Sequence, residues 1–205
     1  MKATDWDQYY KQPAFAARLT RPITYAAVLR AIRTHGSPSP TIVELGGGGS
    51  RIYDVIRDAV HPSEYHIVDT NGYGLSLVRE RSGSNAIRTH QCDVRTVDLG
   101  KLVDVVFSLG LIEHFDPSGT REAIRAHLRL LKSGGVAIIT FPTPTLMYRA
   151  ARSFLELVGQ WIFHDERPLW VDEIKRAIEP EGKLVHEVLI WKILLTQRLV
   201  VIQKR

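Results

Sequence analysis

Ile42-Val43-Glu44-Leu45-Gly46-Gly47-Gly48-Gly49-Ser50 decides how this chain is read. Four apolar-rich residues end in an acid-containing strand tip, and four glycines follow. The next stretch, Arg51 to Val60, has the spacing of a helix. Glycine lets the backbone take positive φ and lets a ligand touch the main chain. Free N–H groups at a helix start draw negative charge. A strand, a glycine turn and a helix in this order predict a ligand-binding loop.

From Thr41 to Pro142 the pattern alternates. Strands are predicted over Thr41–Leu45, Tyr65–Val68, Ala86–Cys92, Leu102–Leu109 and Val136–Phe141. Helices are predicted over Arg51–Val60, Leu75–Arg81 and Arg121–Leu131. Pro117 and Ser118 suit the start of the last helix, and Ser133-Gly134-Gly135 its end. Strand, helix, strand at this spacing means a parallel sheet with right-handed crossovers. Leu184–Trp191 and Leu195–Gln203 lie too close for a crossover helix and predict an antiparallel hairpin. Helices are also expected across residues 1–36, near Leu146–Val158 and near Val171–Ile178. The expected organisation is a single domain over 1–205: a helical lid over 1–40, a ligand-binding core over 41–142, a substrate-covering insertion over 143–182 and the hairpin over 183–205.

The acids narrow the ligand. A dinucleotide loop wants G-x-G-x-x-G, and its third glycine falls on Arg51. No G-K-[ST] follows, so a phosphate loop is excluded. Glu44 at the first strand end is a poor neighbour for pyrophosphate. Asp69 ends the second strand, where a ribose-binding carboxylate is expected in this topology. Asp93 ends the third, placed to accept from an adenine amino group. One glycine loop, one ribose acceptor and one adenine acceptor describe an adenosine ligand without phosphates.

Val43–Gly49, Val68-Asp69-Thr70-Asn71, Cys92-Asp93-Val94, Asp104–Phe115 and Leu131–Val136 appear in the order found in class I S-adenosylmethionine-dependent methyltransferases, and the sequence resembles that family across residues 41–142. The resemblance implies a three-layer α/β sandwich, a Rossmann-like methyltransferase fold whose seven-stranded, mostly parallel sheet has an antiparallel last strand. It implies S-adenosyl-L-methionine as cofactor and S-adenosyl-L-homocysteine as product. Gly46, Gly47 and Gly48 would lie against the methionine part, with Glu44 acting through the loop. Asp69, with Thr70 beside it, would hold the ribose, and Asp93 with Val94 would read the adenine. Ser108 and Leu109 would offer carbonyls to the ammonium. The family's third glycine falls on Ser50, which is expected to cap the helix instead.

Glu113-His114-Phe115 resembles the small-molecule branch. His114 and His164 are the candidate bases. Trp6, Tyr9 and Tyr10 precede the sheet as lids do in this family, and Tyr10 is expected to reach the cofactor, an aromatic face suiting a sulfonium. Arg149 and Arg152 are candidates for meeting an anionic acceptor. The expected reaction is methyl transfer to O, N or C of a metabolite, sugar, lipid or natural-product intermediate. An RNA or protein methyltransferase and a non-catalytic cofactor-binding module are the alternatives.

Composition supports a globular protein. Of 205 residues, 44% are hydrophobic and 24% charged. No apolar run approaches the ~20 residues of a bilayer span. The N-terminus lacks the apolar core of a secretory signal. Cys92 is the only cysteine, so an internal disulfide and a thiolate zinc cluster are excluded, no metal site is expected, and a cytoplasmic location is. The 27 Lys and Arg against 22 Asp and Glu are spread along the chain. That makes nucleic acid an improbable partner and leaves room for steering an anionic acceptor. Oligomeric state is not readable.

Overall fold

The computed structural model describes residues 4–11, 15–82, 87–191 and 196–205, with backbone only at 15–19 and 191. Two leading helices, α1 (Trp6–Lys11) and α2 (Phe15–His35), precede β1 (Thr41–Leu45). Then come α3 (Ile52–Val60), β2 (Glu64–Asp69), α4 (Gly72–Ser82), β3 (Arg88–Gln91) and β4 (Val103–Leu109). A 3-10 turn (Ile112–His114) leads to α5 (Pro117–Arg129), β5 (Leu131–Pro142), α6 (Leu146–Leu157), α7 (Val171–Ile178), β6 (Gly182–Trp191) and β7 (Gln197–Lys204).

The seven strands form one sheet in the order β3-β2-β1-β4-β5-β7-β6. β1 to β5 pair in parallel, and β7 runs antiparallel to both β5 and β6. Strand side chains alternate between two faces. Ile42, Ile67, Val105 and Phe107 pack with α2, α3 and α4. Val43, Leu45, Val68 and Val106 pack with α5 and α7. This is the three-layer sandwich, and burying both faces explains why these strands read as apolar runs.

One local expectation needs correcting. Ser133-Gly134-Gly135 does not close α5. The helix stops at Arg129, and the Val103 N–H takes the Leu130 carbonyl at 2.9 Å. The glycine pair instead lies inside β5, in a bulge where Val103 faces Leu131 but Val105 faces Val136. Gly134, at φ +78°, supplies the conformation the bulge needs. The start of α5 falls where Pro117 and Ser118 place it: Asp116 accepts from the Gly119 N–H at 2.7 Å and Pro117 fills the first turn. β3 is four residues long and β7 starts at Gln197; the expected strand starts at 86 and 195 lie outside the described residues.

From β1 the chain steps outward to β2 and β3, then returns across the sheet to β4 and β5. The carboxyl ends of β1 and β4 therefore flank a topological switch point, where open α/β sheets form their ligand crevice. No helix among the described residues is long and apolar enough to cross a membrane.

Candidate active site

A cavity of about 1240 Å³ opens at that switch point. One end is built by the glycine turn. The Gly46 N–H donates to the Val68 carbonyl at 2.8 Å, so the turn leaves β1 still paired to β2. Gly46 and Gly49 stand at φ +72° and +64°, where side chains strain the backbone. The Gly49 N–H reaches the Gly74 carbonyl of α4 at 2.9 Å.

Glu44 sits beneath this turn and is 4% exposed. Its Oε2 accepts from the Ser50 hydroxyl and the Tyr65 hydroxyl, each at 2.8 Å. Ser50 therefore does not cap α3; Arg51 holds the cap position without a side-chain bond. Burial pushes the Glu44 carboxyl up to about 7 from an ordinary 4.5; the two hydroxyls offset part of the rise and Asp69 adds to it. The folded chain thus holds a proton that the unfolded chain gives up near pH 4.5, so the Glu44 contribution to stability falls as pH rises from about 4.5 to about 7. Glu44→Gln is expected to be more stable than the native chain at pH 8 by on the order of 3 kcal/mol relative to the same comparison at pH 4. Urea unfolding at both pH values checks this. A stability difference independent of pH would show that Glu44 titrates normally.

Asp69 ends β2 and is 7% exposed. Its Oδ2 accepts from the Gly48 N–H at 2.7 Å and its Oδ1 from the Asn71 N–H at 2.7 Å. Burial still raises its pKa, against these bonds. Tyr10 reaches the same Oδ2 from α1 at 3.4 Å. Its ring lies over Gly48, Gly49 and Gly74. A Cβ on any of those three would meet ring or hydroxyl atoms of Tyr10 within 3 Å. The tyrosine thus goes to the acid of β2, and its neighbours Trp6 and Tyr9 go to the far end of the cavity.

Thr70, Asp93, Val94 and Leu109 line the cavity, and Ser108 does not. Ser108 is fully buried, and His127 Nε2 bonds its hydroxyl at 2.9 Å. Gly110 and Leu111 instead continue the wall after Leu109. Asp93 lies two residues beyond β3, and its carboxylate is held by the Arg95 guanidinium, which keeps its pKa low. That guanidinium also stacks 5.0 Å from the Phe115 ring centre.

The far end belongs to residues that sequence reading only partly found. His114 Nδ1 lies 3.0 Å from Asp165 Oδ1. Asp165 is also bound by the Thr4 hydroxyl and, at 3.3 Å, the Thr4 N–H. Burial works against the Asp165 charge, but these bonds hold its carboxyl below the usual range. Burial lowers the His114 pKa more than Asp165 restores it. An ionised carboxylate only accepts, so Nδ1 carries the proton and Nε2 keeps its lone pair. Trp6 and Phe163 pack on the imidazole, with ring centres 5.0 and 5.8 Å away.

Glu113 is 2% exposed, and burial followed by repulsion from Glu166 raises its pKa well above 4.5. Burial likewise brings Glu166 up to about 7. Tyr148, inside α6, donates to Glu166 Oε1. His164 is exposed and lies off the cavity wall, while its neighbours Phe163, Asp165 and Glu166 line it. Arg149 is exposed off the wall too, and Arg152 is used locally, on Glu156, the Glu166 carbonyl and the Trp161 ring. The basic side chains that do line the cavity are Lys11, Arg21, Arg51, Arg81 and Arg95.

This geometry fits S-adenosylmethionine. A buried carboxylate and a backbone N–H meet at Gly48 and Asp69, in a cradle that a single Cβ would fill. The methyltransferase domain family matches residues 42–135. No curated protein matches the chain. Among solved structures it is similar to the magnesium protoporphyrin IX methyltransferase of Synechocystis with bound S-adenosylhomocysteine, at 14% identity and a TM-score of 0.76, covering 98% of this chain and 93% of that one. It is similar to the N-methyltransferase NodS of Bradyrhizobium japonicum in complex with the same product, at 12% identity and 0.70, covering 90% and 87%. It is also similar to the PH0226 protein of Pyrococcus horikoshii, at 15% and 0.74, covering 97% and 99%. The glycine turn, the strand-end acids and the family match fall on the same residues, and across 42–135 the chain carries a methyltransferase domain of the S-adenosylmethionine-dependent kind.

Proposed function

We propose that the acceptor is a small molecule, methylated at an oxygen or nitrogen, and that His114 receives its proton. The observation that carries this reading is the single cavity running from the Gly48–Asp69 cradle to the His114–Asp165 pair. Aromatic rings from the leading segment and from the loop before α7 close over the far end, which suits an enclosed small acceptor better than a polymer strand. Lys11, Arg21 and Arg51 on the wall favour an acceptor that carries an anionic group. The segment 1–40 serves as lid and 143–182 as the acceptor-side cover. A single cysteine suits a reducing cytoplasm.

The bound cofactor supplies a methyl group on a sulfonium, a leaving group that needs no protonation. Asp69 and the Gly48 turn would hold it by the ribose, Asp93 and Val94 would take the adenine end, and the main chain at Leu109 and Gly110, which line the wall, would meet the ammonium. Trp6, Tyr9 and Phe163 keep water out. The acceptor's lone pair would take the methyl carbon as the carbon–sulfur pair returns to sulfur. The acceptor's proton goes to His114 Nε2, and Asp165 stabilises the imidazolium that results. Orientation carries most of the rate, and the positioned base adds a factor of about 10²–10⁴.

The test is transfer of labelled methyl to a panel of hydroxy and amino metabolites, alongside calorimetric titration with S-adenosylhomocysteine and an NAD control. His114→Ala is expected to lower kcat by about 10²-fold or more with S-adenosylhomocysteine affinity unchanged. Full turnover in that variant would remove His114 from the chemistry. Labelling of RNA or protein alone would overturn the small-molecule reading.

A further inference from the structure

Methyl transfer leaves one group at the far end of the cavity without a use. Glu113 Oε2 is buried and has no hydrogen-bond donor among the described residues. A buried carboxylate oxygen without a partner is costly, and native structures seldom leave one so. The carboxyl that carries this oxygen has a second one, Glu166, close by. A ligand-type atom from each of Glu113, His114 and Glu166 lies within 4.8 Å of the other two. Two of these residues are adjacent on the 3-10 turn after β4. The third comes from the loop between α6 and α7.

We propose that Glu113, His114 and Glu166 bind one divalent cation of the Mn2+ or Zn2+ type, which receives a hydroxyl oxygen of the acceptor. Two carboxylates with one imidazole form a donor set of borderline hardness, suited to these ions. Three protein ligands leave positions open for substrate, as catalytic metal sites require. The groups behind the ligands fit as well. His114 gives Nδ1–H to Asp165, which leaves Nε2 with the lone pair a metal would take. Tyr148 fixes Oε1 of Glu166. Carboxylate–histidine and hydroxyl–carboxylate pairs of this kind orient metal ligands. Metal was not expected from the sequence because the three ligands are split between distant segments.

The proposal rests on the methyl-transfer reading and deepens it. An acceptor whose hydroxyl sits beside an anionic group would bind the ion through oxygen. With the ion bound, Glu113, His114 and Glu166 would hold it, and the His114 Nε2 lone pair would serve as ligand in place of the base role it has in the metal-free site. The ion would make the bound hydroxyl acidic, its proton passing to water as the oxygen takes the methyl carbon and the carbon–sulfur pair goes to sulfur.

The experiment uses the full chain, stripped with chelator and titrated with Mn2+ by calorimetry and by the spin-resonance signal of the free ion. S-adenosylhomocysteine is titrated in parallel. One Mn2+ per chain is expected, bound at least about tenfold more weakly in Glu113→Gln and in Glu166→Gln, and equally well in the surface control Asp172→Asn. Glu113→Gln keeps the side-chain shape and carries no charge to bury, so the variant is expected to fold. No uptake of Mn2+ or Zn2+ by a chain that binds S-adenosylhomocysteine overturns the ion site and leaves methyl transfer standing. Uptake that ignores Glu113→Gln overturns it too. Uptake that responds to Glu113→Gln in a chain that fails to bind S-adenosylhomocysteine keeps the ion site and strikes the cofactor reading instead.

Discussion

Gly48→Val is expected to abolish S-adenosylhomocysteine binding while the protein stays folded. A Cβ at Gly48 would stand 2.5 Å from the Tyr10 hydroxyl and 2.8 Å from Asp69 Oδ2. The tyrosine is the tip of a side chain and can swing away. The carboxylate cannot, because Gly48 and Asn71 N–H groups fix it from two sides. Valine therefore fills the space between the turn and the Asp69 carboxylate. Gly48 is not among the residues at positive φ, so the backbone accepts a side chain without the strain that Gly46 or Gly49 would suffer. A melting temperature within several degrees of the native value is expected, since ~1–2 kcal/mol shifts a chain of this size by only that much. A binding heat like that of the native protein would mean that the cofactor does not use this turn.

Asp69→Ala is the second large effect, and a different one. The substitution opens the site rather than blocking it. Charge-assisted hydrogen bonds contribute about 1.5–3 kcal/mol, so affinity for S-adenosylhomocysteine is expected to fall ~10–100-fold. Stability should also drop by ~1–3 kcal/mol, because the Gly48 and Asn71 N–H groups lose their acceptor. Asp69→Asn keeps an acceptor oxygen without the charge and should fall between. Calorimetry separates the two consequences when it is run well below the unfolding temperature of each variant. Affinity within twofold of native for Asp69→Ala would move the ribose elsewhere.

The cofactor half of the site was legible because its parts are local. A strand end, a glycine turn and the acids of the next two strands fix one another once the parallel order is known, and that order follows from strand–helix alternation. Even there, single contacts escaped. Ser50 reads as a cap, yet its hydroxyl is drawn down to Glu44. Ser108 reads as a ligand carbonyl; its hydroxyl is turned to His127, and the residue lies off the cavity wall that Leu109 begins. The acceptor half was legible only as a list of suspects. Asp165 and His114 are 51 residues apart, and nothing local says that the loop after α6 turns Asp165 and Glu166 inward while His164 faces solvent. Such choices depend on how a loop drapes over a finished core. The same holds for Ser133-Gly134-Gly135, whose helix-stopping chemistry is real but is spent on a strand bulge because β4 offers pairing partners beyond it.

Asp165 joins two parts of the molecule in one group. It holds the imidazole of His114, and it holds the Thr4 hydroxyl and N–H at the start of the chain. Lifting the leading segment would strip two of those three bonds from the carboxylate and take Trp6 off the ring. Entry to the site and alignment of its imidazole are thereby linked as a latch is to a trigger. Were the segment to lift, His114 would be held less firmly, and the proposed base would be aligned only with the leading segment seated.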